Sequence, residues 1–202
     1  MSSLDASVLD KPLPKPRRSR LGYASARALE ALLEALLAIE FLDHDYTRNA
    51  AGKAFQAWRA LLGTLLALEK DSAAEKLGKD ERRWLEERAI PLIPSSRLKP
   101  LAQLLERLGY RGLSQATSMA RELHSYQYNG PDPAGELSGY PSRESAATDI
   151  ILLLEQLTSI IEGKVKPKLE DKGLWTAEHS QALKELKQRL RHGQVVGPVS
   201  AS

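Results

Sequence analysis

The chain has 202 residues, a formal charge of +3 and no cysteine, which excludes a disulfide framework and a thiolate metal site. Hydrophobic residues make up 42 %, mostly Leu and Ala, with few aromatics and almost no Val, Ile or Thr runs, a bias toward helices over strands. No apolar run approaches the roughly 20 residues needed to span a bilayer, and the first residues lack an apolar export core, so the sequence reads as a cytoplasmic protein with no membrane partner.

Residues 1–20 read as a disordered basic arm. Pro12, Pro14 and Pro16 interrupt any helix, and Lys11, Lys15, Arg17, Arg18 and Arg20 gather positive charge. No aromatic is interleaved for base stacking, so a solvated tail is favoured over a nucleic-acid contact. The bundle domain is expected over 21–192, and a frayed tail over 193–202.

A first helix is predicted over Ser25–Asp43, capped by Ser25, with Leu29, Leu32, Leu33, Leu36, Leu37 and Ile39 spread round most of its surface. His44 and Asp45 make a turn too short for anything but an αα-hairpin. The next helix, to Leu68, is the centre of the pattern. Its apolar arc, which includes Ala50, Ala57, Trp58, Leu61 and Leu65, exceeds half the circumference and requires several packed neighbours. Gly52 and Gly63 inside it predict close approach by another backbone. Two such apolar helices exceed what one bundle is expected to cover, which predicts a homodimer built on them.

A charged segment follows, with Trp84, Leu85 and Ala89 marking a short helix, then prolines at 91, 94 and 100. Leu101, Leu104, Leu105 and Leu108 form an amphipathic pair of turns, stopped by Gly109 and Gly112. Leu113 to about Tyr128 is the next helix, ended by Asn129–Gly130–Pro131. Along one flank of its apolar stripe lie Thr117, Arg121, His124 and Tyr128. Ser142 caps a helix that buries Ile150, Leu153 and Leu157, and Thr176 opens a last one through Leu183, Leu186 and Leu190.

His124 is the histidine placed inside a folded motif. It suits either general acid/base work or a hydrogen bond at the core rim that ties its helix to Asn49 or Gln56. His44, His124, His179 and His192 are too scattered to ligate a metal, and no glycine-rich phosphate loop is present, so no cofactor is expected. The polar strip Asn49, Lys53, Gln56 must meet something polar. The expected site is a shared cleft of Tyr46, Asn49, Lys53, His124 and Tyr128, with Lys53 and Arg121 favouring an anion.

Two stretches, YTRNAAGKAFQAWRALL (46–62) and ARELHSYQYNGPD (120–132), resemble the archaeal repeat-family (PaREP-type) proteins of the HEPN superfamily. The likeness runs from about Gly22 to Ile161. It implies an all-α, antiparallel, HEPN-like bundle, homodimeric through its long helices, with RNA, a nucleotide and a nucleotidyltransferase-like protein as expected partners. Some HEPN proteins are metal-independent ribonucleases, with an arginine further ahead of a histidine than here. Only Glu122 and Leu123 separate Arg121 from His124, and that departure favours a non-catalytic module over a ribonuclease using His124 and Arg121.

Overall fold

The structure is a computed structural model that describes residues 6–193. Every regular element among them is helical, and together they form an antiparallel bundle around one long helix. Helix α1 (Arg20–Asp43) is capped by Ser19, whose Oγ accepts from Gly22 N. Ser25, the cap expected from sequence, instead lies one turn in and donates its hydroxyl to the Leu174 carbonyl. The chain reverses at His44–Tyr46, where Asp45 takes a left-handed conformation (φ 63°) and Tyr46 N bonds back to Phe41 O.

Helix α2 (Thr47–Leu68) is the hub. Its apolar arc is buried from Ala50 to Ala67, and it packs on α1, on α6 (Leu98–Glu106), on α7 (Leu113–Asn129) and on α8 (Arg143–Ile160). Between α2 and α6 come α3 (Lys70–Glu75) and an irregular helix composed of α4 (Lys79–Trp84), a π turn (Leu85–Ala89) and α5 (Ile90–Leu92). Past α8, a second π turn (Ile161–Val165) leads into α9 (Lys166–Asp171), and α10 (Ala177–Gly193) closes the bundle.

Both helices expected to need a second copy are covered within one chain. α10 lies along α1 and buries Ala182, Leu183, Leu186 and Leu190, while Leu29, Leu32, Leu33, Leu36 and Ile39 are all buried. The apolar surplus behind the homodimer expectation is therefore taken up by the last helix. The two α2 glycines make room for side chains and not, as expected, for backbone. A Cβ at Gly52 would come 2.7 Å from Gln127 Cδ, and one at Gly63 would come 3.1 Å from Ile93 Cγ1.

The stretch read as an arm makes contacts in its described part. Ala6–Asp10 is a 3-10 turn, Val8, Leu9 and Leu13 rest half-buried on the core, and Arg20 pairs with Asp71 at 2.7 Å. Met1–Asp5, and the expected tail beyond Gly193, lie outside the described residues. Among the described residues no helix is long and apolar enough to cross a membrane.

Candidate functional site

Antiparallel packing of α7 on α2 pairs positions along the two helices. Gly52 receives the Gln127 side chain, Phe55 stacks on His124, and Trp58 Nε1 donates to Thr117 Oγ1 at 2.9 Å. The glycine at 52 makes room for that side chain, and the buried indole–hydroxyl bond fixes the register. Arg48 holds the far end of α7, donating to the carbonyls of Gln127 and Tyr128. A cation at a helix C-terminus satisfies carbonyls that have no intrahelical partner and complements the dipole.

This register brings His124 to the base of a cleft of about 620 Å³. Phe55 is its floor. One wall is the α7 face with Arg121, Glu122 and Tyr128, and the facing wall is Ser95, Ser96 and Lys99, at the entry to α6. His124 lies face to face with Phe55, ring centroids 4.0 Å apart and planes 16° from parallel, and edge-on to Tyr128 at 5.2 Å. Its Nδ1 is buried and has no hydrogen-bond partner among the described residues. The Tyr128 side chain stays exposed. Lys99 and Arg121 are exposed and form no ion pair among the described residues. Two exposed cations lining one cleft with aromatic side chains suit an anionic ligand with a flat or apolar portion.

The loop after α7 is tied to two residues of the cleft lining, Ser125 and Asn129. The Asp132 carboxylate accepts from the backbone N–H groups of Ala134, Gly135, Leu137 and Ser138, which holds its carboxyl below the usual range. The loop so formed presents the Leu137 carbonyl to Ser125 Oγ at 3.1 Å and to Asn129 Nδ2 at 2.9 Å.

The expected five-residue cleft is divided. His124 and Tyr128 come together with Arg121, one turn apart on α7. Lys53 faces the other way, its Nζ 2.9 Å from Oε2 of the buried Glu34 on α1. Burial pushes the Glu34 carboxyl up, and the Lys53 ammonium offsets part of that rise. Gln56 accepts from Arg59, not from His124, and Asn49 is exposed. Tyr46 stands at the hairpin turn with its ring against Phe41 and His44. Sequence reasoning missed Lys99, Ser95 and Ser96. They fall between Pro94 and Pro100, in a stretch whose lack of periodicity conceals what it faces.

The model of the archaeal PaREP1/PaREP8 family matches residues 26–151, more than half of the chain. The chain belongs to this family. No curated protein and no solved structure matches it. The PaREP1/PaREP8 match contains both walls and the floor of the cleft, whereas α9 and α10 lie beyond it. Among the described residues no three His, Asp or Glu side chains are gathered as a metal ion would require.

Proposed function

We propose that this chain is a non-catalytic, HEPN-like helical module that binds RNA or a nucleotide in the α7 cleft. The observation that carries this reading is that Lys99 and Arg121, which form no ion pair among the described residues, line the same cleft as the stacked Phe55–His124 pair, where Glu122 offsets only part of their charge. Phosphate oxygens are the natural partners of such cations, and the exposed Tyr128 ring offers a face to a base.

The ribonuclease alternative is less well supported. A catalytic imidazole is oriented by a partner on its second nitrogen, and among the described residues His124 Nδ1 has none. It also lies flat on Phe55, where an imidazolium N–H at Nδ1 would find no acceptor. Homodimerisation and a nucleotidyltransferase-like partner belong to the same reading, but either would use surface other than the α1 face that α10 covers.

Fluorescence anisotropy with a labelled, mixed-sequence oligoribonucleotide and with a labelled nucleotide, at about 50 mM salt, tests the proposal. Wild type is expected to bind at least one, and Lys99→Glu or Arg121→Glu to weaken binding by about tenfold or more at an unchanged Tm. Absence of binding by the wild type sinks the reading. Incubation with total RNA in EDTA checks the alternative, since intact RNA is the expected outcome.

A further inference from the structure

Ile93 joins two parts of the molecule. It ends the helix that runs from Lys79, and the Ser95–Lys99 wall begins two residues later. Its backbone is left-handed (φ 41°, ψ 68°) although the residue is β-branched and fully buried. A branched side chain at positive φ is a true outlier and persists only where its surroundings enforce it. Here the enforcement is a two-pronged clamp. Arg59 donates Nε to the Ile93 carbonyl at 2.8 Å and Nη2 to the Leu92 carbonyl at 2.7 Å. Upstream, Tyr23 Oη donates to the Ile90 carbonyl at 2.7 Å, and Gly63 leaves room for the Ile93 side chain. Downstream, Pro94 removes a backbone donor and pins φ near its ring-imposed value. Arg59 is one turn past Phe55 on α2, so one helical turn carries both the floor of the cleft and the grip on its far wall.

We propose that Arg59 is the positioning residue of the cleft: by gripping the Leu92 and Ile93 carbonyls it holds the left-handed hinge, and with it the distance between Lys99 on one wall and Arg121 on the other. The consequence for ligand affinity rests on the binding reading given above; the mechanical claim does not. Arg59 itself touches no ligand. Without it, two carbonyls lose their donors, Ile93 is free to return to negative φ, and the wall occupies more than one position.

The absence of cysteine makes a direct distance measurement clean. Spin labels on Ser96→Cys, in the wall, and Gln115→Cys, on the exposed face of α7, report the wall-to-helix distance by pulsed electron resonance. A single narrow distribution is expected in the otherwise native chain. Arg59→Ala should broaden or split it, and Arg59→Lys, which keeps one donor group, should restore most of the narrow peak. A general loss of folding would not be rescued in that graded way, and circular dichroism of each variant checks for it. The labelled oligoribonucleotide should bind Arg59→Ala at least fivefold more weakly than wild type, with Arg59→Lys between the two. An unchanged narrow distribution in Arg59→Ala overturns the proposal, whatever happens to binding. A broadened distribution with undiminished oligoribonucleotide affinity overturns the link from hinge to affinity. Failure of the unmutated protein to bind sinks the RNA reading alone, and the distance data still decide the hinge.

Discussion

Trp58 and Thr117 are both fully buried, and the indole N–H of one donates to the hydroxyl of the other across the α2–α7 interface. This is the polar tie at the centre of an apolar contact. A slip of α7 by one residue would strand the indole donor and part Phe55 from His124. Thr117→Val keeps the shape and removes the acceptor, so the cost is an unsatisfied buried N–H, about 1–3 kcal/mol. Urea unfolding measures it. A loss below about 0.5 kcal/mol would mean that packing alone sets the register.

Lys53 and Glu34 form a partly buried ion pair, and the prediction for Lys53→Ala follows from that position. Removing the ammonium leaves a carboxylate with little solvent, at a cost of about 1–3 kcal/mol at pH 7. The folded-state pKa of Glu34 lies above its unfolded value, so the native state binds the proton more tightly. The penalty of holding the carboxylate charged is therefore full above the folded pKa, and it is relieved as pH falls toward the ordinary carboxylate range. The stability deficit of Lys53→Ala should shrink on acidification from pH 7. A deficit that is constant with pH would show that lost packing of the lysine stem, not charge, is responsible.

The architecture was legible where one helix carries its own signal. The broad apolar arc of α2 marked it as the hub, and Asn129–Gly130–Pro131 marked the end of α7, where Gly130 takes φ 75°. His124 and Tyr128 were legible as a pair because four residues on a helix bring two side chains to one flank. Lys99 was not, because its place opposite Arg121 depends on the clamped turn at Ile93, some 30 to 40 residues from Arg59 and Gly63 in the chain. Lys53 was placed on the correct helix but given the wrong partner, since a helical wheel cannot say whether α1 or α7 lies beside a given flank. The first twenty residues show the same limit. Composition describes a basic, proline-rich stretch, but the half-burial of Val8, Leu9 and Leu13 arises from packing on the folded core, to which α1 contributes the surface met by the Ala6–Asp10 turn.

His124→Phe separates stacking from chemistry at the cleft. The substitution preserves a flat ring against Phe55 and deletes the buried, unpaired Nδ1. Stability is expected to hold or to rise by up to about 1 kcal/mol, because an unsatisfied polar atom leaves the interior. Thermal unfolding checks this. A fall of about 2 kcal/mol or more would show that the imidazole is held by a hydrogen bond.

His179 links α10 to α1, and that attachment is expected to weaken on acidification. It is buried, with Nε2 2.9 Å from the Ser25 carbonyl and Nδ1 2.8 Å from Thr176 Oγ1 and 3.2 Å from Thr176 N. The network assigns the proton to Nε2, so that Nδ1 accepts from the Thr176 backbone N–H. Burial is the main cause that lowers the pKa of this imidazole, and the Ser25 carbonyl and Glu178 only partly oppose it. A proton at Nδ1 would also meet the Thr176 N–H head-on. Because the folded pKa is depressed below the unfolded value near 6.5, the unfolded chain takes up the proton first. Stability contributed by neutral His179 is thus complete above about pH 6.5, and it is lost as pH falls from there to the folded pKa. Denaturant midpoints recorded between about pH 5 and 8 should decline on the acid side. His179→Gln should flatten that decline, since an amide can still donate to Ser25 and does not titrate in this range. If the variant keeps the wild-type slope between about pH 5 and 6.5, another group governs the loss and the attachment of α10 does not depend on this histidine.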